Sequence, residues 1–242
     1  MSVLAAFAER WGITYRLLSD EGSHAIRSLG LYNEHLAEQA AAHGVQAREH
    51  HYGVPYPGTF VLDEAGVIVD KWFEQSYRVR PSGAVTLEKV VGAGPAQAKV
   101  SAQSEANGIA ARAWLADDSY RPYQQLLLHV VIEPAPGVHV YGDPIPDGYQ
   151  ALRIEIQSLE GLVVGPIELP TPATLVVPGL DDSFVGYERA IDVTIPFSIN
   201  GRLGPVALGV SIVLQACDDT VCYPPAEIRL ALPLDAEENI RD

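Results

Sequence analysis

The chain predicts an α/β region followed by an all-β sandwich, on three observations. Up to about residue 91, helical apolar periodicity alternates with a β-hairpin pattern. Residues 91–108 are rich in Gly, Ala, Ser and Pro and carry no periodic apolar spacing, the composition of a connection. Beyond them, seven short apolar segments recur between Pro/Gly turns at the spacing of a β-sandwich. With 242 residues, 48% of them apolar, the chain has material for two cores.

In the first region, Val3 to Trp11 reads as a helix and Thr14 to Leu18 as a strand. Ser19 and Asp20 are placed to cap a second helix running to about Leu29, and Tyr32 to His43 reads as a third. Thr59 to Phe73 is a hairpin turning at Glu64-Ala65-Gly66, and Ala84 to Val91 closes the region as a helix. In the second region the strands are Gln125–Ile132, Val138–Tyr141, Leu152–Gln157, Leu175–Val177, Ile191–Phe197, Val206–Leu214 and Ile228–Leu234. The expected organisation is therefore an α/β domain over 1–91, a linker over 92–108 and a sandwich over 109–236.

Charge and hydropathy exclude several function classes. Residues 1–98 carry 8 basic and 11 acidic side chains, whereas residues 99–242 carry 8 and 20, a net charge of −12. Such a surface repels nucleic acid and anionic lipid, so neither is expected as a partner. No stretch approaches the eighteen or so apolar residues of a membrane helix, and the residues after Met1 lack a basic leader region; as written the chain reads as soluble and cytoplasmic. The seven histidines, including His139 and the neighbouring His50-His51, show no metal-ligand spacing with carboxylates and are expected on surfaces. No metal or cofactor is expected.

Chemistry is expected at the two cysteines, Cys217 and Cys222, which bracket four residues between two strand-like segments. Cross-strand neighbours at the neck of a hairpin lie about 4.5–5.5 Å apart at Cα, within reach of a disulfide. Closing so short a loop removes only about 2 kcal/mol of unfolded-chain entropy, little for a structural staple. Two cysteines without a nearby histidine cannot complete a tetrahedral metal site. Asp218 and Asp219 disfavour a thiolate beside them, so the pair is suited to relaying electrons from a partner thiolate through a mixed disulfide. An inert hairpin bridge is the other reading of the same spacing.

The segment Gln215-Ala-Cys-Asp-Asp-Thr-Val-Cys-Tyr-Pro-Pro225 resembles the cysteine loop of the DsbD N-terminal family, an immunoglobulin-like domain of thiol:disulfide interchange proteins. Pro136-Gly-Val-His-Val-Tyr-Gly142 resembles that family's Gly-aromatic-aromatic-x-Tyr strand, and Leu180-Asp-Asp-Ser-Phe-Val-Gly-Tyr187 its acidic, aromatic cap loop. The resemblance implies that Cys217 and Cys222 are the catalytic redox pair, that His139 and Tyr141 line the site and that Phe184 shields it. His139 stands where the family tends to carry an aromatic residue. Read without the resemblance, Tyr141 is ordinary strand packing and Phe184 a loop anchor.

Leu17-Leu-Ser-Asp-Glu-Gly22 and Gly53-Val-Pro-Tyr-Pro-Gly-Thr-Phe-Val-Leu-Asp63 resemble the second half of a thioredoxin-fold peroxiredoxin of the alkyl hydroperoxide reductase and thiol-specific antioxidant family. This implies a truncated thioredoxin-like domain, lacking its first strand and cysteine loop, with Pro57 as a site-lining cis-proline. No cysteine precedes Cys217, so this region has no peroxidatic thiolate of its own. Three functions follow as expectations: a thiol-disulfide oxidoreductase module, a non-catalytic interaction protein with a degenerate redoxin domain, or a peroxiredoxin whose nucleophile lies upstream. The expected partner is a thioredoxin-like redox protein or the complete redoxin domain, and the sheet edge left without its neighbours invites self-association. The DsbD resemblance implies an oxidising compartment outside the cytoplasm, against the leaderless start.

Overall fold

A computed structural model describes residues 3–42, 44–74, 79–91, 97–145, 147–176, 183–201 and 204–238. The chain divides into two compact units, Met1–Tyr77 and Arg78–Asp242.

The first unit contains α1 (Val3–Trp11), α2 (His24–Ser28), α3 (Leu36–Ala42) and an antiparallel hairpin of β1 (Gly58–Leu62) and β2 (Ile68–Phe73). The hairpin turns where the sequence places it. Asp63 Oδ1 accepts the amides of Ala65 and Val67, each at 2.9 Å, and Gly66 takes the left-handed φ of +79° that the turn requires. Asp20 does hold the start of α2, its carboxylate accepting the amides of Ala25 and Ile26 after a single 3₁₀ turn. Thr14–Leu18 differs from expectation: it forms no strand, because among the described residues no neighbouring strand supplies a ladder for it to join. The Tyr56–Pro57 bond also differs, being trans; among the described residues the one cis peptide joins Asp143 to Pro144. The trans geometry lets the chain run extended from the Tyr32–Pro55 bridge into β1, where the Pro57 carbonyl accepts the Glu74 amide at 2.9 Å. No described residue of this unit is fully buried, and Phe7, Trp11, Leu62 and Ile68 are exposed. The α/β region therefore has a hairpin and helices but little core.

The second unit begins with β3 (Arg80–Pro81) and α4 (Gly83–Val91), then β4 (Val100–Ala106), β5 (Ile109–Leu115), β6 (Ser119–Tyr120), β7 (Gln124–Pro134), β8 (His139–Tyr141), β9 (Arg153–Ile156) and β10 (Leu162–Val164). It continues with β11 (Ala173–Val176), β12 (Ser183–Tyr187), β13 (Ile191–Ile199), β14 (Val206–Leu214), β15 (Ala216–Cys217) and β16 (Ala226–Ala236). One sheet runs β10-β13-β7-β5-β4, with β3 added parallel to the start of β7; a second runs β6-β16-β14-β9; a third, smaller sheet runs β11-β12-β8-β15. The core lies among them: Ile109, Leu115, Leu128, Ile132, Ile195, Leu208, Ile212, Leu214 and Leu232 are fully buried together. Alternation along β5, β13 and β16 puts every second side chain into it.

The organisation differs from the expected one at its boundary. Residues 80–91 lie with the sandwich unit, and Val100–Ala106, expected within a linker, is a strand paired residue for residue with β5. The reason is burial. Val85 of α4 is only 1% exposed, and Ser82 accepts the Val85 amide while donating to Asp117 at 2.7 Å. Glu88 Oε2 lies 3.3 Å from Nε2 of His129 on β7, whose ring stacks on Trp114 at 5.0 Å. His129 is thus buried, not at the surface as expected.

Two outcomes follow. A chain begun at Arg78 should melt about 3–10 °C above one begun at Lys99, since loss of Val85 burial alone removes about 1.5–3 kcal/mol; equal melting temperatures would mean that α4 contributes nothing. Burial holds His129 below its ordinary pKa, outweighing the pull of Glu88. The unfolded chain therefore binds a proton first, and stability contributed by neutral His129 is complete above pH about 6.5 and is lost as the pH falls below it. Denaturant melts at descending pH should show that loss, and His129→Gln should reduce it.

Candidate functional site

The site is built where the chain leaves the core. β14 and β16 pair over nine positions, from Val206–Leu234 to Leu214–Ala226. Between them the chain turns away as β15, which pairs with β8 so that Ala216 faces Val140 and Cys217 faces His139. Gln215, buried at this bend, fastens it: its side-chain oxygen accepts the Gln150 amide at 3.0 Å and its Nε2 donates to the Tyr223 carbonyl at 3.1 Å. The loop then closes on Cys222, which forms a disulfide with Cys217 across an antiparallel bridge with Cα atoms 4.0 Å apart.

Asp218 orders the loop itself. Its Oδ1 accepts the Thr220 amide and hydroxyl, both at 2.7 Å, and the Val221 amide at 2.8 Å, while the Tyr223 hydroxyl donates to Oδ2 at 3.2 Å. The Thr220 hydroxyl, followed by the two amides, lowers its pKa to about 2, so it is a carboxylate at any working pH. Asp218 is therefore a turn former whose charge is already engaged by donors.

The two sulfurs have different surroundings. Cys217 is 1% exposed, whereas Cys222 is exposed. The Tyr141 hydroxyl lies 3.4 Å from Cys217 Sγ and 3.7 Å from Cys222 Sγ, and because neither disulfide sulfur carries a proton, the hydroxyl is the donor to both. Burial raises the Tyr141 pKa, with Tyr149 adding to the effect, so the phenol keeps its proton. Four rings form a wall here: Tyr141 with Phe184 at 4.8 Å, Tyr141 with Tyr149 at 4.9 Å, His139 with Phe184 at 4.8 Å, and His139 edge-on to Tyr141 at 5.8 Å. Burial lowers the His139 pKa against the pull of Glu188, Asp219 and Asp218.

Five of the expected site residues thus come together: Cys217, Cys222, His139, Tyr141 and Phe184. Phe184 is not on a loop as expected but on β12, whose Gly186 faces Tyr141 in the ladder with β8. A Cβ at Gly186 would stand 2.7 Å from the Val140 carbonyl, so only glycine lets β12 lie this close and carry Phe184 over the site. The acidic residues of the expected cap, Leu180 to Asp182, lie outside the described residues. Pro57 belongs to the other compact unit, in a trans bond. Sequence reading missed Tyr149, which arrives on an irregular segment without periodicity, and the clamping role of Gln215, which sits in plain view beside the cysteine motif.

Comparison with known proteins agrees with these features. The family described as thiol:disulfide interchange protein DsbD, N-terminal, matches residues 111–233, just over half of the chain, and the AhpC/TSA family matches residues 1–71. The chain is similar to the N-terminal periplasmic domain of ScsB from Proteus mirabilis, with 19% identity, a TM-score of 0.40 and coverage of 54% of this chain and 49% of that one. It is also similar to the reduced DsbD N-terminal domain of Neisseria meningitidis, with 16% identity, a TM-score of 0.31 and coverage of 55% and 82%. A third similar structure is the complex between the DsbD N-terminal and PilB N-terminal domains of the same organism, with 13% identity, a TM-score of 0.30 and coverage of 55% and 80%. The chain spans about half the length of the ScsB structure. No curated protein matches it. With its cysteine loop, its aromatic wall and its sandwich inside the matched segment, the chain belongs to the family of the N-terminal domain of thiol:disulfide interchange protein DsbD.

Proposed function

We propose that the sandwich unit is a thiol-disulfide exchange module whose catalytic pair is Cys217 and Cys222. The observation that carries this reading is the asymmetry of the bridge, one cysteine exposed and the other buried with its sulfur beside a phenolic donor. A partner thiolate reaches Cys222 Sγ and forms a bond to it; the bond between Cys222 and Cys217 breaks and its electron pair stays on Cys217. The Tyr141 hydroxyl is already aimed at that sulfur, and a hydrogen bond to a charged acceptor is stronger than one to a neutral acceptor. A second thiolate of the partner then attacks the partner's own sulfur in the mixed disulfide and releases Cys222, so that two electrons have passed to the pair. The same steps run in reverse from the dithiol.

The small stabilising value of the bridge supports the reading. Its loop is already closed by the Asp218 turn and by the Tyr223 amide donating to the Ala216 carbonyl at 2.9 Å. The site residues we assign are Cys217 and Cys222 for the chemistry, Tyr141 for the released sulfur, and His139 and Phe184 as the wall. Pro57 is left out of this assignment. The partner fitting an exposed sulfur on an acidic unit is a thioredoxin-like protein carrying a thiolate, and protein-on-protein docking is the arrangement of the Neisseria DsbD–PilB complex. Residues 1–98 carry no cysteine, so the exchange chemistry proposed here rests on the sandwich unit.

Cys217→Ser should accumulate a mixed disulfide on Cys222 with a thioredoxin-like protein, seen as a shifted band on non-reducing gels, and Cys222→Ser should not. Equilibration of the wild-type pair with glutathione should give a potential well above about −300 mV; resistance to both glutathione and thioredoxin would leave an inert bridge. Tyr141→Phe should slow opening of the bridge roughly 2- to 10-fold, the worth of one hydrogen bond.

A further inference from the structure

The wall contains one group whose charge can change near neutral pH, and it stands beside the sulfur that must receive charge. Directly paired residues of an antiparallel ladder project to the same face with Cβ atoms about 4.5–5.5 Å apart, and His139 is the direct partner of Cys217. Tyr141, two residues along the same strand and so on the same face, touches both sulfurs, which fixes the side on which His139 lies. The charges acting on His139 are all negative: Glu188 after β12, and Asp218 and Asp219 on the cysteine loop. From its own strand and from β12 the facing groups are the uncharged Tyr141 and Phe184 rings. Opening the bridge places a further negative charge on Cys217, a sulfur nearly sealed from water. Within this set His139 is the group able to become positive.

We propose that His139 tunes the exchange: as an imidazolium it stabilises the thiolate released at Cys217, so the bridge opens faster as the pH falls through the titration of this side chain. The inference rests on the exchange reading above and deepens it. An opposite charge within about 4–6 Å favours the ionised form of a thiol by one or more pKa units, which sets the expected size at about tenfold in rate. Three carboxylates nearby would otherwise oppose that charge. The bridge thereby senses acidity through the sulfur that is hidden and not through the sulfur that is attacked.

The test is the rate of opening by a water-soluble trialkylphosphine, measured on the full chain across about pH 5–8 and divided by its rate on a small reference disulfide to remove the reagent's own titration. The phosphine attacks Cys222 Sγ, the bond to Cys217 breaks with its electron pair on Cys217, and water then releases the phosphine oxide and the two thiols. The normalised wild-type rate should rise about tenfold toward low pH. His139→Phe keeps a ring against Phe184 and Tyr141, and His139→Gln keeps polarity without charge; both should give flat profiles. A wild-type rise retained in either folded variant, or a flat wild-type profile, overturns the proposal. Its failure is separable from that of the exchange reading, because the latter is decided by equilibration with glutathione and thioredoxin, which needs no pH dependence.

Discussion

The nine-residue pairing of β14 with β16 is the constraint on which the sandwich and the site both depend. It buries Leu208, Val210, Ile212 and Leu214 against the opposite sheet, and it leaves the chain between the two strands no room to continue in the same ladder. The excess residues from Gln215 to Pro225 must leave the sheet, and they do so as β15 onto β8. The cysteine loop is thus an excursion from the most buried hairpin of the protein. Its stem is rigid for the same reason that the core is, since any shift of Leu214 would open a cavity.

Polar interactions then convert that rigid stem into a chemical site. Gln215 satisfies a backbone donor and a backbone acceptor at the bend, and Asp218 satisfies four donors within the loop. Together they fasten the two ends of the stretch in which Cys217 is buried and Cys222 exposed. β8 supplies the rest, because it is paired on both sides: β15 brings Cys217 to it and β12 brings Phe184. Glu188, Asp218 and Asp219 place beside this site the sign of charge that a free thiolate tolerates least.

The first unit obeys a different balance. Its helices and hairpin satisfy their own backbone groups, but no described side chain in it is fully buried. A two-stranded ribbon with short helices has no second layer against which to exclude water, so its order comes from local turns such as those of Asp20 and Asp63. The likeness of residues 1–71 to the AhpC/TSA family is a likeness of sequence, over a stretch that carries no cysteine.

Local chemistry was legible in the sequence. The helix at Val3–Trp11, the hairpin turn at Asp63–Gly66, the α/β-then-sandwich order and the cysteine pair all depend on residues within a few positions of each other. What depended on distant neighbours was not. Val100–Ala106 read as linker because alanine and serine carry weak strand preference; it becomes a strand because Ile109–Leu115, itself laddered on β7, offers it a partner. Thr14–Leu18 has strand composition and forms none, for want of such a neighbour. The sequence by itself determined that two cysteines stand at the spacing of a short hairpin loop, because their motif is one contiguous run, while His139 and Tyr141 were drawn to them only through the resemblance of a separate segment. Only the tertiary structure decided which sulfur faces solvent, that α4 packs on the sandwich through Val85 and Glu88, and that His139 stands opposite Cys217, since register and burial are properties of packed strands.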